Sequence, residues 1–309
     1  RHSKKMYKKA MIRKYSNYWK FPLTVILLVL LLRLLELQKL IETFRGANYF
    51  YIGIAMLSIP LMISLKAYKW QILLKSFWQE TSFKIAARSY LCGFAIGVMT
   101  PAKMGEVSRS VFLPYEENMK IISLVILDRY CDLIILIFLS IIGVTHFAGI
   151  RIGFIAFLAG LFGITLIFIY PIILEVLNKK DYKLPWISKI ITMQSDFNKI
   201  TPKIILKSLS ISFSYFLLSI TTSFLLLSSF NAVPFSIVLK VFPLTLITNI
   251  IPITVGNLGV REGATIFLLN NFNISSEVAF NSSILLFFLH SVTPALIGLV
   301  LINLRIKKV

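Results

Sequence analysis

Thr100-Pro101-Ala102-Lys103-Met104-Gly105, followed by Glu106 and Arg109, is a glycine-bearing, charged island in an otherwise oily chain. It has an echo at Thr254-Val255-Gly256-Asn257-Leu258-Gly259, followed by Arg261 and Glu262. Backbone can abandon a helix at membrane depth only where protein or a watery cavity satisfies its polar groups, so a matched pair of interrupted segments points to a site. The competing reading is a chance match between Thr- and Gly-containing stretches of a membrane sequence.

The surroundings of the two islands set the class. Hydrophobic residues make up 57% of the chain, mean hydropathy is +0.81, and 25 phenylalanines accompany only 13 acidic residues. That lies far outside the soluble range and predicts an all-α, polytopic integral membrane protein. At about 20 residues per span the chain has room for roughly six to eight helices and leaves nothing for a sizeable soluble domain. The basic N-terminus leads into a long apolar stretch without a small-residue cleavage site, which argues against a signal peptide. Cys92 and Cys131 fall in apolar segments and read as small buried hydrophobes.

A formal charge of +20 invites a nucleic-acid reading. Its distribution argues against one. Eight basic residues from Arg1 to Lys20 precede the first apolar run; Lys66, Lys69, Lys75, Lys84 and Arg88 follow the second; seven lysines from Lys179 to Lys207 fill the longest polar connection. These clusters read as cytoplasmic anchors of a plasma-membrane protein, with attraction to anionic headgroups as a secondary effect.

Apolar length places full spans at 21–41, 49–74, 120–147, 152–176, 204–230 and 279–303. Two hydrophobic segments remain, 85–100 ending in Thr100-Pro101, and 235–255 carrying Pro243 and Pro252. If the first crossed fully, the lysine-rich 178–203 connection would fall outside, against the positive-inside rule. If both enter and return on one side, both termini are cytoplasmic and the two islands enter from opposite faces, as in an inverted-topology repeat. The expected organisation is one transmembrane domain over 1–309, with a basic arm at 1–20, re-entrant motifs at 85–118 and 235–272, and a cytoplasmic amphipathic loop at 178–203. In that loop Trp186, Ile190, Met193, Phe197 and Ile200 share a helical face suited to the membrane surface or to the ends of the spans.

Asp128, Arg129 and Asp132 lie inside the 120–147 span, with the two acids on one face at an i, i+4 spacing. An ionisable side chain there costs at least ~2.5 kcal/mol, so the three should face the bundle interior or a wet cavity. An internal ion-pair lock, with Arg129 between acids, is the competing account. Arg33 and Glu36 read as a local or snorkelling pair near the end of the first span, outside the site. Lys103, Glu106, Arg109, Asp128, Arg129, Asp132, Arg261 and Glu262 balance in charge and can pair with one another when empty. Arginines presented at broken helices nevertheless suit phosphate, and the acids could receive an amine or hydroxyls. His2, His146 and His290 are scattered and no cysteine pair has ligand spacing, so no metal or other cofactor is expected.

The run Gly93-Phe-Ala-Ile-Gly-Val-Met-Thr-Pro-Ala-Lys-Met-Gly-Glu-Val-Ser-Arg109, then Asp128-Arg129 and Asp132-Leu133, then Ile251-Pro-Ile-Thr-Val-Gly-Asn-Leu-Gly-Val-Arg-Glu262, resembles the transmembrane-region family of lysylphosphatidylglycerol synthase and flippase proteins. That family also includes membrane domains attached to dolichol-linked glycosyltransferases and stand-alone members. The resemblance runs from about Tyr49 onward and implies movement of a lipid headgroup between leaflets. Glu106 and Arg109 match the first family motif, Asp128, Arg129 and Asp132 the second, and Gly259, Arg261 and Glu262 the third. Ala102 stands where many relatives carry glycine. The chain ends at Val309 without a soluble aminoacyl-transfer domain, so it is not expected to make lysyl lipid itself.

The expected activity is flippase-like transport of a phospholipid or polyprenyl-phosphate headgroup through a polar groove. Arg109 and Arg261 would hold the phosphate in turn; Lys103, Glu106, Asp128, Arg129, Asp132, Asn257 and Glu262 would complete the groove; Thr100, Pro101, Gly105, Gly256 and Gly259 would shape its backbone. No Gly-x-x-x-x-Gly-Lys-Ser/Thr run is present, so transport would be downhill or ion-coupled. Two alternatives stay open: a non-transporting partner of a lipid-dependent glycosyltransferase or synthase, and an enzyme using the buried acids on a lipid-linked substrate. A homo-oligomer is compatible with each.

Overall fold

A computed structural model describes residues 37–98, 100–115, 117–178, 200–248, 254 and 257–306. Among them are ten α-helices, one 3₁₀ segment and one π turn. They run α1 Leu37–Arg45, α2 Tyr49–Lys75, α3 Phe83–Val98, the 3₁₀ segment Pro101–Phe112, α4 Asn118–Ala148, α5 Ile150–Asn178, α6 Pro202–Ser228, α7 Phe235–Ile247, α8 Val260–Asn270, α9 Ser276–Phe287, the π turn Phe288–Val292 and α10 Thr293–Ile306.

Among the described residues, four stretches have the length and apolarity to cross a membrane: Tyr49–Lys75, Asn118–Ala148, Pro202–Ser228 and Ser276–Leu304. The 27 residues of α2 would span about 40 Å at ~1.5 Å per residue, a full bilayer with its interfaces. These four match the expected spans at 49–74, 120–147, 204–230 and 279–303. The expected span at 152–176 falls in α5, whose stretch Ile150–Leu166 is a shorter apolar helix. The expected span at 21–41 lies mostly outside the described residues, as do the 1–20 arm, Arg33, Glu36, the face running from Trp186 to Phe197, and Gly256.

Helices α2 and α6 pack antiparallel in the centre. Asn48 caps α2 by accepting from Phe50 N at 3.1 Å, while its own N–H donates to Ser229 O just past α6 at 2.7 Å. Helix α4 packs on α6 and α7, and α5 folds back along α4, with the Tyr130 hydroxyl donating to Gly163 O at 3.1 Å.

The first island makes a helical hairpin. Gly97 faces Glu106 and Gly93 faces Arg109, so α3 and the 3₁₀ segment run antiparallel with a turn next to Thr100. Thr100 closes that turn, donating to Gly97 O at 2.9 Å and accepting from Gly105 N at 2.7 Å. Gly105 lies so close to Ile96 that a Cβ there would sit 2.6 Å from its carbonyl oxygen. At the open end of the hairpin Trp78 stacks on Tyr115 with centroids 4.4 Å apart, and Thr81 and Tyr115 share a 2.6 Å hydroxyl contact.

The second island lies between α7 and α8, which also pack on each other. Asn257 Nδ2 donates to Thr248 Oγ1 at 2.7 Å near the tip, and Lys240 sits over the Phe272 ring near the open end. Phe272 in turn stacks on His146 and meets Phe147 at the C-terminal end of α4. The open end of the first hairpin instead lies just ahead of the N-terminus of α4, at Tyr115. The two hairpins therefore have their open ends at opposite ends of that helix.

Candidate functional site: a charged cluster beside a cavity

Three residues per turn in a 3₁₀ helix stack positions i and i+3, which puts Glu106 and Arg109 on one face of the first hairpin. Arg109 Nη2 donates to Glu106 Oε2 at 2.5 Å and Nη1 to Asp128 Oδ2 at 2.9 Å. The guanidinium carbon lies 4.9 Å from the ring centroids of both Trp70 and Tyr90, and the residue is 0% exposed. Arg109 is thus clamped by two carboxylates and two aromatic rings, well suited to its planar cation. Ser89 completes the clamp, donating to Arg109 O at 3.0 Å.

Across α4, the expected shared face of Asp128 and Asp132 is present, and its partners come from α2. Lys69 Nζ lies 2.8 Å from Asp128 Oδ1 and 2.9 Å from Asp132 Oδ1, and also donates to Asp128 O at 2.7 Å. Lys66 Nζ donates to Asp132 Oδ2 at 2.5 Å and sits 4.0 Å from the Tyr215 ring centroid. Ser212 of α6 donates to Asp132 Oδ1 at 2.9 Å. This corrects the reading of Lys66 and Lys69 as cytoplasmic anchors that follow the second apolar run. Both lie inside α2 and are buried. The signal available in the sequence was complementarity: a Lys pair at i, i+3 in one span against an Asp pair at i, i+4 in another.

Arg129, one helical turn before Asp132 on α4, is ion-paired with Glu106 while its side chain remains 38% exposed. Glu106 thus joins a buried arginine to a half-exposed one. Lys66, Lys69, Arg109 and Arg129 meet Glu106, Asp128 and Asp132, so among the described residues this cluster holds one more cation than carboxylates.

The second island carries its own pair. Asn257 and Gly259 have φ of 60° and 84°, the left-handed region, which for Gly259 carries no side-chain penalty. The turn lets Glu262 close a capping interaction at the start of α8, accepting from Gly259 N at 2.6 Å. Glu262 also pairs with Arg261. Arg261 donates from Nε to Ser283 Oγ and from Nη2 to Ser283 O, both at 3.2 Å.

The two islands border one cavity of about 490 Å³. Lys66, Glu106, Arg129 and Asp132 line one side, and Arg261, Ser219 and His290 contribute to the rest. His290 is placed there by the π turn, a local widening frequent at functional sites. Arg109, Asp128 and Glu262 stand behind the lining, bonded directly or through one another to Glu106 and Arg261, and Asn257 does not line the cavity. Thr100 and Gly259 sit at the two turns, and Gly105 packs against Ile96 of α3. Lys103 lies in the 3₁₀ segment with its side chain outside the described ones. Tyr215 and His290, which the sequence did not single out, also reach the cavity.

A comparison with curated proteins returns no match. Residues 18–298, nearly the whole chain, match the family described as the lysylphosphatidylglycerol synthase TM region, and the protein belongs to that family.

Proposed function

We propose that this membrane domain moves a phosphate-bearing lipid headgroup, from a phospholipid or a polyprenyl phosphate, between leaflets while the lipid tails stay in hydrocarbon. The observation that carries the reading is the meeting of Arg129, backed by the first hairpin, and Arg261, from the second, at one cavity. Two guanidinium forks at a broken-helix site suit successive capture of a phosphate. The Glu106 carboxylate holds Arg129 when the site is empty, and an arriving phosphate competes for that arginine. Lys66 and Asp132 line the same wall and can balance the remainder of the headgroup.

Arg109, Asp128 and Glu262 act in this scheme as positioning residues, because their own partners occupy them behind the wall. Burial of Arg109 shifts the phosphate-holding role expected of it to Arg129. The pair of hairpins, with open ends at opposite ends of α4, supports an inverted repeat within about six spans, with both termini cytoplasmic. Transport in this scheme is downhill or ion-coupled.

Reconstitution into vesicles containing a headgroup-labelled phosphatidylglycerol, with quenching of the outer leaflet, tests the proposal. Wild-type protein is expected to make the inner-leaflet label accessible. Arg129→Gln and Arg261→Gln are each expected to slow this by about tenfold or more, since a hydrogen bond to a charged group contributes roughly 1.5–3 kcal/mol. Wild-type rates in both variants would overturn it.

A further inference from the structure

The cavity has an apolar rim on its open side. Ile126, Arg129, Tyr130 and Leu133 recur at i, i+3, i+4 and i+7 along α4, and all four line the cavity while remaining partly or fully exposed. Met104 of the first hairpin flanks them. Met104 and Ile126 are 65% and 61% exposed, so the stripe continues from the cavity wall onto the lipid-facing surface. One charge interrupts it, the half-exposed guanidinium of Arg129. At about 490 Å³ the cavity is within the size range of small-ligand pockets, and its rim opens onto this stripe.

We propose that the α4 stripe beside Met104 is a subsite for one hydrocarbon chain of an anionic lipid, loaded sideways from the bilayer with its phosphate on Arg129. This rests on the lipid-headgroup reading and adds where the tail lies. Charge complementarity selects the occupant. An arginine on a lipid-facing stripe pairs with a lipid phosphate, and a chain attached to that phosphate falls on Ile126 or Leu133, within one helical turn of the guanidinium on either side.

The test uses the whole protein in nanodiscs containing phosphatidylglycerol with a diazirine at the end of one acyl chain. After irradiation, labelling is mapped by peptide mass spectrometry. Labelling at Ile126 and Leu133 is expected to exceed severalfold that at Leu57 and Phe162, which are exposed residues away from the cavity. Arg129→Gln is expected to bring the stripe down to their level. Ile126→Trp, a surface change, should deplete labelling at Leu133 while the thermal midpoint stays put. Equal labelling at all exposed positions in wild type would overturn the subsite. Labelling needs no turnover, so an enriched stripe in a protein that moves no headgroup would sink the transport reading alone. Transport without enrichment would sink the subsite alone.

Discussion

The two arginines that meet at Glu106 are not equivalent. Arg109 is wholly buried between rings and carboxylates, whereas Arg129 reaches the cavity rim. Removing one partner of a buried ion pair leaves an uncompensated charge and costs about 3–5 kcal/mol. Arg109→Ala, which removes the buried cation shared by Glu106 and Asp128 and leaves them only Arg129 and Lys69, is therefore expected to yield less monodisperse protein, or to lower the thermal midpoint. Arg129→Gln should lower the midpoint much less, because the Arg129 side chain is 38% exposed and the buried Glu106 keeps its bond from Arg109. Thermal unfolding of the two purified variants, followed by size-exclusion, checks the contrast; equal losses would mean that both arginines serve the same lock. The acids and arginines of this cluster were legible from the sequence, because charges inside apolar runs stand out. Lys66 and Lys69 were not. They sit near the end of an apolar run, where positive-inside lysines also occur, and only packing of α2 on α4 separates the two cases.

The first hairpin was legible as an element that turns back, from Thr100-Pro101 after a short apolar run. Its 3₁₀ winding was not, since no local propensity distinguishes it from an α-turn; what favours it is the antiparallel contact of the segment with α3. Gly105 sits at the tightest point. An added methyl there meets the Ile96 carbonyl at 2.6 Å, and a backbone atom cannot rotate away. Gly105→Ala is expected to cost on the order of 1–3 kcal/mol by overpacking. Gly53, on an exposed stretch of α2, has nothing within 4 Å of an added Cβ. Gly53→Ala should be neutral or stabilise by about 0.5–1 kcal/mol through helix propensity. Opposite shifts of thermal midpoint in the two variants would support the close approach; parallel shifts would argue against it. The π turn was not anticipated either, although His290, Ser291, Thr293 and Pro294 interrupt the apolar run at that point.

At the scale of the molecule the decisive question is whether the two hairpins open to opposite faces of the membrane. The contacts put Trp78, Thr81 and Tyr115 at one end of α4 and Phe272 with His146 and Phe147 at the other. Asn48 and Ser229 tie the start of α2 to the end of α6, so Asn231 lies at the end of the bundle opposite the loop after α2. If α2, α4 and α6 cross the bilayer, Glu80 and Asn231 must face different compartments. Both are exposed, so a cysteine at either position is open to a charged thiol reagent. Cys92 and Cys131 are both buried, which leaves the background low. With the basic 75–88 stretch cytoplasmic, as its exposed Lys75, Lys84 and Arg88 favour, Asn231→Cys is expected to label on intact cells. Glu80→Cys is expected to label only after permeabilisation. Labelling of both from the same side would refute the opposed arrangement, and with it the inverted repeat on which alternating use of Arg129 and Arg261 depends. The reverse pair of accessibilities would preserve the repeat and invert the orientation inferred from the lysines.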